Sequence, residues 1–350
     1  MMADCRYGRR SPRGNPEAGF TLIEVMAALA ILGIAMTAVF STFISQQQSF
    51  TTQSRVAEMQ QNLRLAVDCM TRDIRMAGYG MPMSTNTASD NVALPAGVLP
   101  GGITAIRAIF PVDNNAGPDQ IYILYRYDMD LERYDTVNNL LLPPPELQSM
   151  AADRSFVTVD NSFGFLAGGG EHALVTDGAT ADLFQSTSVV GATVNFAGGG
   201  YNGAHHTKVY VAGATPGFPP SVVSKARFVR YFIDNSDPAR PTLMLDRMIP
   251  GQAPQPVADD IEDMQFTYGL DTNADGNIDA FRCDSGGTVI TAAEVTRIRQ
   301  VRMHLIARSR LPEGGMIGTR PALANRPAGG TDGYRRRIIE VNIDARNSGT

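Results

Sequence analysis

One run of residues constrains this chain more than any other. Phe20–Ile44, FTLIEVMAALAILGIAMTAVFSTFI, is apolar but for four hydroxyl residues and one carboxylate, Glu24. About 20 such residues let a helix cross the hydrocarbon core of a bilayer, so the segment is long enough to span. Ahead of it, residues 1–19 carry Arg6, Arg9, Arg10 and Arg13 against Asp4 and Glu17. That charge bias predicts a cytoplasmic N-terminus with the rest of the chain outside. A secretory signal would be cut behind its apolar run, at small residues. Here the run passes into polar helical sequence, and the sharp junction, Gly19-Phe20, lies in front of it. By hydropathy alone this is an ordinary single-span anchor.

Glu24 argues for more than an anchor. An ionisable group near the centre of a span costs ~2.5–3.5 kcal/mol on insertion scales. Near the helix end the cost falls, but a partner is still needed. Glu24 lies one helical turn after Phe20. If the chain were cut after Gly19, the new amine of Phe20 would be cationic and could pair with a Glu24 carboxylate. Within one chain that pair is sterically awkward; between neighbouring chains it would set a packing register.

Gly19-Phe20-Thr21-Leu22-Ile23-Glu24, with a basic leader before it and an apolar helix behind, resembles the prepilin cleavage motif of type IV pilins and type II secretion pseudopilins. The resemblance implies removal of residues 1–19 by a prepilin peptidase and N-methylation of Phe20. It also implies pairing of Glu24 with the terminal amine of a neighbouring subunit. The implied partners are major and minor pilins and an inner-membrane assembly platform. The implied location is the inner membrane before assembly and an extracellular fibre afterwards.

No Pro or Gly interrupts residues 34–77, so one helix is expected over 20–77, ~87 Å at 1.5 Å per residue. Residues 20–44 would form its membrane or fibre-core part and 45–77 its outer part. In the outer part Val56, Met59, Leu63, Val67, Met70 and Ile74 recur at steps of three and four. This apolar stripe suits packing on a sheet. A coiled-coil seam uses the same spacing, but over more heptads than this stretch holds.

From residue 78 short apolar runs alternate with Gly, Pro, Asn and Asp clusters, which predicts a β-rich head over 78–350. Strands are expected at Gln120–Tyr127, Ser155–Val159, Lys208–Val211, Phe228–Ile233, Thr242–Asp246, Met264–Gly269, Val301–Arg308 and Arg337–Ile343. The fold class is therefore α+β: a long N-terminal transmembrane helix packed on a pilin-like head with one large, irregular sheet. Leu141–Pro145 and Pro250–Pro256 read as extended connections, and Gly168–Gly170 and Gly198–Gly200 as loop tips. Segments of Gln60–Pro82, the run Ile261–Phe266 with Tyr268-Gly269, Arg299–Ser309 and Tyr334–Asn347 resemble PilW-type minor pilins. That narrower resemblance implies a low-abundance subunit that primes or caps a pilus. Roughly 83–255 resembles nothing specific. A type II secretion pseudopilin and a tip-displayed adhesin stay open as alternatives.

The head holds one metal-like motif. Asp271, Asn273, Asp275, Asn277 and Asp279 place oxygens at alternate positions around Gly276, a spacing that suits Ca²⁺. Ile278 would point inward as an anchor. Arg282 stands where an EF-hand has its bidentate Glu, so the loop resembles compact inter-strand calcium loops instead. A solvated Asp/Asn/Gly turn is the plainer reading.

The three cysteines, Cys5, Cys69 and Cys283, are too few and scattered for a zinc site. Removal of the leader leaves Cys69 and Cys283, an even count that permits a disulfide in an oxidising compartment. Two free thiols are the plain alternative, and Cys69 falls on a different side of the helix from the stripe. A net charge of −5 argues against nucleic acid as a partner. Arg335-Arg336-Arg337 reads as a solvated strand edge, and His205-His206 as exposed. No phosphate loop, G-x-S-x-G or H-E-x-x-H motif occurs, and no enzyme is expected.

Overall fold

The computed structural model describes residues 19–81, 92–93, 99–100, 105–106, 108–127, 134–135, 140–141, 144–162, 164–196, 208–213, 220–285, 288–291 and 293–345. The leader, His205-His206, Gly198–Gly200 and part of Leu141–Pro145 lie outside the described residues. The chain divides into two compact units, Met1–Ser54 and Arg55–Thr350. A single helix, α1 (Leu22–Met76), belongs partly to each. In the first unit it is the only described element, and its apolar side chains are exposed on every side, from Leu22 at 81% to Phe50 at 73%.

In the second unit the stripe does what its spacing predicts. Met59, Leu63, Ala66, Met70 and Ile74 are buried, with Val56 and Val67 packed beside them. Leu65, off the stripe, stays 46% exposed. The helix stops where Gly78 takes a left-handed φ of 77°, which costs glycine nothing. The chain then runs along a strand, Gly78 N–H donating to Leu124 O and Tyr79 O accepting from Arg126 N–H.

The strands of three or more residues begin with β1 (Ile109–Val112), β2 (Gln120–Arg126), β3 (Leu147–Met150), β4 (Phe156–Val159) and β5 (His172–Thr176). Next come β6 (Ala181–Val190), β7 (Thr193–Phe196), β8 (Val222–Asp234), β9 (Thr242–Asp246) and β10 (Gln255–Asp259). The last are β11 (Ile261–Leu270), β12 (Ala280–Arg282), β13 (Ile298–Arg308) and β14 (Arg336–Asp344).

They form two main sheets where one was expected. The larger, of 12 strands, runs β10-β9-β8-β5-β6-β7-β4-β3, with β2 also on β8, β1 on β2, and two-residue ladders at Val92–Ala93 and Ala105–Ile106. The smaller runs β12-β11-β13-β14. The helix stripe shares a core with both: Ile123, Val229 and Leu243 from the large sheet, and Met264, Phe266, Met303 and Leu305 from the small one.

Two polar devices fix this arrangement. Asp73, 1% exposed, lies within the helix stripe and accepts O–H bonds from Tyr125 (2.9 Å) and Tyr231 (2.7 Å), on β2 and β8. Burial and the Asp73 charge both push the two phenols above their ordinary range. At the junction of the sheets Asp119 acts as a one-residue strand. Its N–H donates to Met264 O (2.8 Å) and its carboxylate accepts from Phe266 N–H (2.9 Å). Two groups of the β11 edge that β12 does not reach, Met264 O and Phe266 N–H, are thereby satisfied, as buried backbone groups must be.

Several expectations need correction. Lys208–Val211 forms no strand; the Lys208 ammonium is held by Asp177 and Thr180. Gly168–Gly170 lies in a loop as expected, and the loop is tied down: Gly170 N–H donates to Ser186 O, and a Cβ on Gly169 would lie 2.3 Å from the Thr187 backbone. Pro250–Pro256 gives way at its end to β10, a sheet edge where Pro256 is tolerated. The arginine run is not uniformly solvated. Arg336 is held between Glu262 and Asp332, its side chain only 6% exposed, while Arg335 pairs with Glu313.

Candidate functional site

Two regions carry the candidate chemistry, the start of α1 and the β11–β12 hairpin. At the first, Gly19 and Phe20 precede the helix in exposed, non-helical backbone. Glu24 is exposed, and its carboxylate accepts from both the N–H and the O–H of Thr21, each at 3.0 Å. Thr21 Oγ1 in turn accepts from Glu24 N–H at 3.4 Å. This is a capping box, T-x-x-E, in which two otherwise unpaired helix-end groups are satisfied reciprocally. The sequence carries that signature openly, yet attention to charge hides it. Glu24 therefore has a local role within one uncut chain, and the carboxylate is exposed to any neighbour.

In the second region β11 and β12 pair antiparallel, in a register that runs from Leu270↔Ala280 to Tyr268↔Arg282. The loop between them is the motif 271–279. Asp271, Asp275 and Asp279 each offer a carboxylate oxygen, all within 4.8 Å of one another. Asp271 is buried and accepts from Asp275 N–H (3.2 Å) and Gly276 N–H (2.9 Å). Asn273 joins the cluster through an amide N–H to Asp275 (3.2 Å), and Asn277 N–H donates to Asp275 (2.8 Å). Asp279 accepts from Thr272 N–H at 2.8 Å. Gly276 has a φ of 87°, the conformation its turn demands. Ile278 lies over Gly269, although it remains 36% exposed.

The loop's electrostatics include a residue that spacing could not reveal. Arg299, on β13, donates two N–H bonds to Asp271, at 3.2 and 3.0 Å. Burial tends to raise the Asp271 carboxyl, but the Gly276 N–H and the Arg299 guanidinium outweigh it and hold the group below the usual range. The N–H of Asn277 does the same for Asp275. Arg282 turns to Glu294, at 2.6 Å, and not to the loop.

The Cys69–Cys283 disulfide is not formed. Both residues are free thiols. Cys69 lies on the helix with its carbonyl near the Tyr231 hydroxyl (3.4 Å), whereas Cys283 is fully buried beyond β12. Burial, with the nearby Asp113 charge, pushes the Cys283 thiol up to about 12, which makes it unreactive.

Comparison with known proteins bears on both ends of the chain. Residues 14–40 match the prokaryotic N-terminal methylation motif, and residues 230–347 match the family model described as Type IV Pilus-assembly protein W. The second match covers the end of β8 and all of β9–β14, so it takes in the calcium-like loop and the whole small sheet. No curated protein and no solved structure matches the chain. Among the described residues one helix, Leu22–Met76, is long and apolar enough to cross a membrane. The methylation motif at one end, the pilus-assembly region at the other, and an apolar helix leading into a β-rich head support a type IV pilin of the PilW type.

Proposed function

We propose that this chain is a minor pilin that enters or primes a pilus fibre after a prepilin peptidase cuts between Gly19 and Phe20. The observation that carries the reading is the first half of α1. Its apolar residues are exposed on all sides, and its one carboxylate, Glu24, stands in the first turn. Such a surface needs lipid before assembly and neighbouring helices after it. Residues 1–19 stay cytoplasmic, the helix crosses the inner membrane once, and the head lies outside. The role is structural, with pilins and the assembly machinery as partners.

Glu24→Gln tests the mechanism cleanly. A glutamine still closes a capping box, but it cannot pair as an anion with the amine of Phe20. The variant is expected in the membrane fraction at normal amounts and strongly depleted from sheared fibres. Normal recruitment would rule out the charge pair. Gene deletion separates the pilus role from a secretion role: lost fibres with intact protein export support the first, and the reverse supports the second.

The loop 271–279 serves as a structural Ca²⁺ site in this reading, held by Asp271, Asp275 and Asp279 with Asn273 and the backbone of Asn277. The support is the convergence of three carboxylates and the alternate-oxygen spacing. An ion bound only by the folded state stabilises it, by ~2.7 kcal/mol at a hundredfold excess over Kd. Calcium is expected to raise the melting temperature of the full chain in detergent micelles, with the rise absent in Asp275→Asn. No calcium dependence in the parent protein would remove the ion from the account.

A further inference from the structure

A cavity of about 280 Å³ lies where β2 ends and β5 begins, both opposite Ala226 of β8. It is lined by Lys225, Arg227 and Arg247 against a single carboxylate, Glu171. Lys225 is committed: its ammonium is 2.8 Å from Glu171 and donates to Gly164 O at 2.7 Å. Arg227 is held flat, 4.3 Å over the Tyr127 ring, with one N–H on the Tyr125 hydroxyl at 3.3 Å. Arg247 is exposed and forms no ion pair among the described residues. With Lys225 and Glu171 neutralising each other, two guanidinium groups remain as net charge on the wall.

We propose that this cavity binds a hexuronate residue, a sugar carrying one carboxylate. The guanidinium fork of Arg247, with Arg227 behind it, matches a carboxylate better than an ammonium would. The volume falls just under the ~300–1,000 Å³ range of small-molecule sites, which limits the occupant to one small group. Glu171 and Gln252 offer acceptors and donors to ring hydroxyls, while Phe228 and Ile249 give an apolar wall. The proposal is independent of the fibre-assembly reading, because none of these residues lies on α1.

The test uses the full chain in detergent micelles and saturation-transfer NMR with D-glucuronate, D-glucose, L-glutamate and inorganic phosphate as probes. Glucuronate is expected to bind at least about tenfold more tightly than glucose, the worth of one charge-assisted contact, and to weaken with added salt. Arg247→Met, at an exposed position, should retain the parent's circular dichroism and lose binding by about the same factor. Arg247→Lys should recover part of it. Equal binding of glucose and glucuronate, or full binding by Arg247→Met, would overturn the site. Glutamate or phosphate binding as well as glucuronate would overturn its assignment to a sugar acid.

Discussion

From Leu22 to Phe50 the large apolar side chains of α1 are exposed, Ile34 at 74% and Phe40 at 64% among them. From Met59 to Ile74 the same helix buries Met59, Leu63, Ala66, Met70 and Ile74 along one stripe and exposes mostly polar residues elsewhere. The two halves also carry their carboxylates differently. Glu24 is exposed and closes a cap with Thr21, while Asp73 is buried and takes hydroxyls from two strands. The first half has its apolar surface available for lipid or other subunits. The second is committed to its own head. One continuous helix thus joins a surface for other molecules to a surface for itself.

Substitutions should separate the halves by size of effect. Asp73→Ala removes the carboxylate that accepts from two buried tyrosine hydroxyls, and a hydrogen bond to a charged group is worth ~1.5–3 kcal/mol, so chemical denaturation in micelles should show the largest loss of head stability. An unchanged midpoint would mean that the pair of O–H bonds is dispensable. Met70→Ala, a cavity in the shared core, should cost ~2–5 kcal/mol. Ile34→Ala on the exposed half should leave head unfolding within ~0.5 kcal/mol of the parent. Equal losses from the two would erase the difference between the halves.

Acid should act on the head through His172. Burial pushes His172 down to about 4 from an ordinary 6.5. Between those values the unfolded chain takes a proton that the folded one refuses, so stability falls as pH drops from 6.5 towards 4. The shift corresponds to ~3 kcal/mol. His172→Gln should flatten the decline in melting temperature over that window; an unaltered slope would assign it to other groups. The smallest effect belongs to Thr21→Val, which opens the cap but keeps the Glu24 charge. Faster amide exchange in the first turn is expected, with fibre recruitment intact. Lost recruitment would shift weight from the charge to the cap.

The sequence was most legible where a period governs. The outer stripe reads directly from steps of three and four, and β9 runs over Thr242–Asp246 as expected. Asp73 was readable in principle, because it sits three residues after Met70 on the same stripe, but a charged residue does not announce burial. The strands of the unmatched middle were harder. His172–Thr176 is buried at every position, so it shows no alternation, and its neighbours come from distant segments such as Val222–Ala226. The loop motif was legible as spacing; Arg299, 28 residues away from Asp271 in sequence, reached it only through strand register.

The Asp73 bonds have a mechanical consequence. A helix pulled along its axis can slide over a smooth apolar surface and seat again one turn on, ~5.4 Å away, because Leu, Met and Ala interchange at modest cost. The two tyrosine hydroxyls allow no equal second seat: one turn away from Asp73 stand Cys69, Met70, Met76 and Ala77, none of which carries a carboxylate. Under tension the Asp73 bonds therefore resist axial slippage, and they tie the helix to β2 and β8 by directional contacts that the apolar core alone does not supply.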